Sequence, residues 1–456
     1  GLWSGHGSPI TEPLFFIISP AFTMVSWCRW RSPRRWFLFA CLGLLLSGLI
    51  SCQGNSPQSM EGKVSFWTMQ LQPKFNQYFD DLIGTFERDN PPEQVSWVDI
   101  PWNAMESKIL TAVSANTAPD VVNLNPTFSS LLASKNAWLN LEEEVSAEVK
   151  ARYLPSIWKA NSLREGEVFG FPWYLTTRIT IYNQDLLQQA GLSAPPATFG
   201  ELAVAAKAIR ETTGKYGLFI TFSPSDSAEA LESLVQMGVS LVNDDGRAAF
   251  NSPAGKVAFQ YWVDLYQQGL LPPEVLTEGH RRAGDLYQSG AIAFLSAGPE
   301  LLASLEKNAP SIAKVSAAAP QIVGETGKRN VAVMNLVIPR STKNPTGAIK
   351  FAEFVTNTDN QYAFIKEANV LPSTIGAVDK YRQELAQIKN SSSLENARRV
   401  ALEQLPTAEV LIPPMANLNQ LKRIIYENLG AAMVGNKTVD QALQDAEQVW
   451  NDNLKG

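Results

Sequence analysis

Lys63-Val64-Ser65-Phe66-Trp67, a helical stretch from about Phe75 to Arg88, and then Val95-Ser96-Trp97-Val98 carry the reading that decides the fold. The outer pieces are short apolar runs of strand length. The middle piece places Phe79, Leu82, Ile83 and Phe86 at i, i+3, i+4 and i+7, one buried stripe of a helix. A second helix, roughly Ala104 to Ala115, leads into Pro119-Asp120-Val121-Val122-Asn123-Leu124, a third strand. Strands alternating with helices imply βαβ units around a parallel sheet. Such sheets bind ligands in the loops beyond the carboxyl ends of their strands. Here those loops carry Trp67 to Gln70, Trp102 and Asn125.

Downstream, Ile179-Thr180-Ile181-Tyr182-Asn183 reads as a strand followed by a helix from Asp185 to Ala190. Pro195-Pro196 precedes a helix around Glu201 to Glu211. Residues 228–238, 253–268 and 283–289 read as helices, and Ala291 to Leu295 and Val331 to Val333 as strands. From Thr346 the pattern is almost wholly helical, with Pro413-Pro414 as a break. Two α/β lobes followed by a helical C-terminal part is the economical reading.

Upstream, Arg29, Arg31, Arg34 and Arg35 precede an apolar run from Trp36 to Ile50 that ends in Leu49-Ile50-Ser51-Cys52. A basic segment, a short apolar run and small residues are the grammar of a secretory signal, and the run is short for a bilayer span. Its last four residues resemble a bacterial lipobox, which makes Cys52 the expected lipidated N-terminus of the mature chain. Arg34-Arg35 also resembles a twin-arginine export signal. Residues 1–51 are expected to be removed, those before Met24 reflecting an over-extended start. Residues 52–61 are expected to be a flexible tether to a membrane, on the periplasmic or extracytoplasmic side.

The chain has 456 residues, too many for one ordinary core. With 38 Lys+Arg against 44 Asp+Glu, its formal charge of −6 excludes a broad nucleic-acid-binding surface. The body beyond residue 51 keeps one cysteine, Cys52, and one histidine, His280, so disulfides and His-based catalysis or metal binding are not expected. Asn243-Asp244-Asp245-Gly246 lacks the spacing of a calcium loop and reads as a turn. Glu142-Glu143-Glu144 reads as a solvated charge run, and His280 as part of an exposed loop. Neither a metal nor a cofactor is expected.

Four further segments carry a family resemblance. Gly170-Phe171-Pro172-Trp173 with Ile181 to Leu186 and Pro195 to Leu202 is the first. Asn243 to Gly246 with Phe250-Asn251-Ser252-Pro253 is the second. Gly290 to Phe294 with Gly298-Pro299, and Val337-Ile338-Pro339 through Val355 to Leu371-Pro372, complete the set. In this order they resemble the extracellular solute-binding proteins of ABC importers, in the carbohydrate-binding branch of the maltose- and glycerol-phosphate-binding proteins. The resemblance covers nearly all of residues 62–456. It implies an α/β fold of two lobes with the ligand in the cleft between them, crossing near Trp173 to Thr177, near Val331 to Leu336 and near Pro372. The N-terminal lobe would hold 62–173 plus 335–375, the C-terminal lobe 177–330 plus 376–456. It further implies a monomer that binds a small carbohydrate or polyol and docks on ABC permease subunits without chemistry of its own. After Gly298-Pro299 the family often has an aromatic residue, whereas this chain has Glu300.

A sugar offers apolar C–H faces and a belt of hydroxyls, so its site needs aromatic faces and short groups that donate and accept hydrogen bonds. Trp67, Trp102, Trp173 and Tyr174 are the aromatic candidates. Gln70, Asn125, Thr177, Asp226, Ser296 and Asn335 are the polar ones, with Gly298 allowing close backbone approach. Asp226 has a rival role as the cap of the next helix. Arg178 and Arg340 are the cations available to a phosphorylated solute. The competing classes are an anchored glycoside hydrolase, for which no acid and nucleophile pair is apparent locally, and a receptor that feeds a sensor.

Overall fold

The computed structural model describes residues 62–415 and 417–454, so the export signal, Cys52 and the tether lie outside the described residues. Strands β1 (Lys63–Met69), β2 (Gln94–Ile100) and β3 (Val121–Leu124) alternate with the helices Asn76–Asp89 and Trp102–Ser114. Both β2 and β3 pair with β1 in parallel. The sheet order around β1 therefore reverses, the topology that opens a crevice at the carboxyl ends of the strands.

That sheet is larger and more mixed than the expected parallel one. β4 (Phe171–Thr176), β10 (Ala332–Val337) and β11 (Leu371–Pro372) join it in the order β11-β4-β10-β3-β1-β2. β10 runs antiparallel to both β3 and β4. Phe171 to Thr176, which contains Pro172, is thus an interior strand. Prolines suit strands only where the missing N–H is not needed, and here the register shifts at Met334/Asn335, opposite Pro172.

The sheet is covered on both faces. Along β1, Val64 and Phe66 enter a cluster with Phe79, Trp173 and Phe351, while Trp67 and Met69 face the cluster of Met105, Ile109 and Trp138. That alternation is the two-residue period of a strand.

A second sheet has the order β6-β7-β5-β8, from β5 (Ile179–Asn183), β6 (Tyr216–Leu218), β7 (Ile292–Ala297) and β8 (Ser316–Ala319). Its core is separate and is built on Trp262, Phe250, Phe259 and Tyr426. The late helices Leu418–Met433 and Val439–Asn453 pack into this second core. Trp450 Nε1 also donates to the Gly246 carbonyl at 2.9 Å. Two sheets with two cores, joined where β4 runs into β5, make a two-lobed α/β protein.

Strand β9 (Arg329–Asn330) pairs with β12 (Ala408–Glu409) beside the junction, a short pairing that the helical pattern of the late sequence conceals. The Gly246 turn is present, with Asn243 Oδ1 accepting from the amides of Asp245 and Arg247. Glu142 is not simply solvated: it pairs with Lys150 at 2.7 Å and accepts from Trp158 Nε1 at 3.0 Å. Those hydrogen bonds hold its carboxyl below the ordinary range.

Candidate functional site

At the carboxyl ends of the parallel strands, the first lobe carries four predicted residues. Gln70 follows β1 with φ of 53° and is exposed, and its Oε1 accepts from the Trp102 amide at 3.2 Å. Trp102 is the first residue of its helix, two residues earlier than the sequence suggests, and its side chain is 45% exposed. Trp67 is half-buried, with the Lys108 ammonium 5.0 Å from its ring centroid. Asn125 ends β3 and caps the helix Pro126–Ala133, accepting from the Phe128 amide at 2.8 Å.

Three others are buried in the first lobe. Trp173 is fully inside, stacked on Phe364 with centroids 4.8 Å apart and 21° between planes. Tyr174 packs on both rings. Asn335 accepts from Asn161 Nδ2 and donates to Ser129 Oγ at 3.3 Å, so the fold itself satisfies its amide. An interior strand buries both its faces, which places Trp173 in the core; Asn335 is equally buried but also borders a small pocket with Pro126, Ser130 and Ile412.

Where the lobes join there is a cavity of about 360 Å³. Thr177 and Arg178, between β4 and β5, form part of its wall, with Asn330 and Ala332 from the return crossing and Asn369 to Leu371 before the third. The second lobe adds Glu232, Gly298, Pro299 and Glu300, and the helices Ile375–Gln387 and Ser393–Glu403 add Tyr381 and Arg398. Of the predicted set, Thr177 and Gly298 line this cavity. Ser296 lies on a smaller one of about 60 Å³ inside the second lobe, also bordered by Glu232.

The cavity wall is mostly apolar but carries four charged side chains, Arg178, Glu232, Glu300 and Arg398. Arg178 donates to Glu232 at 3.1 Å and to Ser227 Oγ at 3.0 Å. Desolvation opposes its charge, but Glu229 and Glu232 outweigh that and hold the guanidinium above its ordinary value. Burial pushes the Glu232 carboxyl up, against the pull of Arg178. Arg340 is exposed and is not among the residues of this cavity. Asp226 does not cap the helix Glu229–Gln236, whose cap position is Ala228. Its Oδ1 accepts from the amides of Ser227 and His280, at 2.6 and 3.0 Å. His280 accordingly opens a helix instead of lying in a loop, with Nδ1 3.7 Å from Glu229. No local signal in the sequence announces Glu232, Tyr381 or Arg398, because they lie on separate helices that meet only in the fold.

Among the described residues, no group of three or more His, Cys, Asp or Glu is placed to hold a metal ion.

A two-lobed α/β body with a cavity at the lobe junction, apolar in the main and set with charged side chains, is the architecture of a binding protein. The chain belongs to the bacterial extracellular solute-binding protein family, whose sequence model matches residues 70–362. A periplasmic-binding protein of Synechococcus sp. MITs9220, solved in complex with zinc, is 46% identical, with a TM-score of 0.79 over 86% of this chain and 99% of that one. The sugar-binding protein MalE of Xanthomonas citri is 25% identical, with a TM-score of 0.72 over 86% of this chain and 97% of that one. A mannitol-binding protein of Pseudomonas aeruginosa is 24% identical over 80% of this chain and 88% of its own. The family binds solutes and is not a family of enzymes.

Proposed function

We propose that this protein is the solute-binding component of an ABC importer, capturing a sugar or sugar-like polyol between its lobes and presenting it to a membrane permease. The observation that carries this is the cavity of about 360 Å³, walled by both lobes and the segments that join them. A ligand there touches both lobes only when they are closed, and this differential contact supplies the free energy of closure. Trp67, Gln70, Trp102 and Asn125 are the contacts we propose from the first lobe, with Thr177, Gly298 and the Asp226 loop opposite. Trp173, Tyr174 and Asn335 act by holding the interior strands that carry them.

We further propose lobe boundaries of 62–173 plus 335–375 and 177–330 plus 376–456, with a monomeric body anchored through lipidated Cys52 on the extracytoplasmic side. The export grammar of residues 29–52 supports that anchoring. Its test is mass spectrometry of the protein from membranes, where an unacylated N-terminus would contradict it.

The function is tested by a thermal-shift screen of the full chain against sugars, polyols, amino acids and phosphate. A binder at 100 times its Kd stabilises the native state by about 2.7 kcal/mol. Stabilisation by carbohydrates is the expected result. A shift by amino acids or phosphate with none by carbohydrates would reject the ligand class, and oligosaccharide cleavage would favour the hydrolase.

A further inference from the structure

The reading above leaves open whether the solute is neutral or phosphorylated, and the inference here rests on that reading. The cavity wall carries two arginines, Arg178 and Arg398, and two glutamates, Glu232 and Glu300. Arg178 is paired with Glu232 at 3.1 Å. Arg398 donates through Nη2 to Asn369, yet its buried Nε has no hydrogen-bond partner within the protein. Glu300 is the mirror case: its buried Oε1 accepts from nothing in the protein. Its other oxygen, Oε2, lies where a Cβ on Gly298 would come within 2.9 Å, so glycine there leaves room for the carboxylate. Desolvation dominates the carboxyl's environment and raises it, opposed first by a hydrogen bond from its own backbone amide and then by the charges of Arg398 and Lys74, and Tyr381 feels both Arg398 and Glu300.

Buried donors and acceptors are almost always paired, so one unpaired acceptor and one unpaired donor on the same cavity wall point to a ligand that supplies both partners. We propose that Glu300 and Arg398 form a subsite for a neutral polyhydroxyl ligand, in which one hydroxyl donates to Glu300 Oε1 and a neighbouring hydroxyl oxygen accepts from Arg398 Nε. A hydroxyl pair has the required donor and acceptor without net charge. A phosphate or carboxylate has acceptors only: it could take the Arg398 Nε donor, but it would leave Glu300 Oε1 without a donor, set a second negative charge beside that carboxyl, and find Arg178 already occupied by Glu232.

Calorimetric titration of the full-length protein with maltose, trehalose, mannitol and glycerol 3-phosphate tests this, alongside Glu300→Gln and Arg398→Lys. The lysine keeps the charge and removes the Nε donor. Ligand-free melting of each variant is measured in parallel, so that either variant alone suffices if the other does not fold. A neutral probe is expected to bind at least tenfold tighter than glycerol 3-phosphate, and each variant to weaken it by about 10- to 100-fold. Tighter binding of glycerol 3-phosphate, or neutral binding within threefold of the parent in the folded variants, overturns the subsite while the importer reading stands. Binding of none of the four overturns the sugar reading and the subsite with it.

Discussion

Trp173 and Trp102 show how one residue type divides by position. The Trp173 indole touches Phe66, Phe79 and Phe364 and has no exposed surface. Truncating it leaves a cavity among rings that cannot all collapse, so Trp173→Ala is expected to cost about 3–5 kcal/mol in urea unfolding. Trp102, nearly half exposed, predicts a different outcome: Trp102→Ala stays within about 0.5 kcal/mol of the parent. Equal losses in the two variants would contradict this division. In sequence the two are hard to separate, since both flank strand ends. What distinguishes them is whether the strand is interior, and β4 becomes interior only through pairing with β10 more than 150 residues away. Asp226 is a similar case: a capping residue by sequence, its partner amide at His280 is 54 residues on.

At the scale of elements, the junction is held by amides. Gln404 Nε2 donates to Thr177 Oγ1 at 2.7 Å and to the Arg178 carbonyl at 2.9 Å, and its Oε1 accepts from the Gln321 amide at 3.1 Å. Thr177 Oγ1 donates in turn to the Asn330 carbonyl at 2.8 Å, and Gln321 Oε1 accepts from the Asn330 amide at 2.7 Å. One side chain therefore ties both crossing segments to the end of the helix Ser393–Glu403. Gln404→Ala leaves buried partners unsatisfied and is expected to cost about 1–3 kcal/mol, with faster amide exchange confined to 176–179 and 329–332. Exchange that rises uniformly over both lobes would contradict a local hinge role. The early βαβ elements were legible because their apolar spacing is regular over several turns. β11 and β12 were not, since two residues carry no period and each exists only by pairing with a distant partner.

For the whole molecule, ligand-free stability should carry the mark of Glu300. Burial raises its folded carboxyl value above the unfolded one. Below the unfolded value both states are protonated and the group costs nothing. As pH rises through the folded value the unfolded chain sheds the proton more readily, and stability is lost. Glu300→Gln is therefore expected to melt like the parent at acidic pH and above it at neutral pH, read by calorimetry without ligand. A variant less stable than the parent at neutral pH would reverse the sign and count against the account. The two-lobed class was legible from ordered motifs spread along the chain, whereas the cavity was not, because its wall is drawn from seven separated segments.

The most direct measurement is small-angle scattering of the protein with and without a saturating sugar or polyol from the thermal-shift screen. Closure of the lobes around that ligand predicts a smaller radius of gyration on saturation, with the ligand recovered chemically unchanged. An unchanged radius at full occupancy would contradict a clamp that binds by closing.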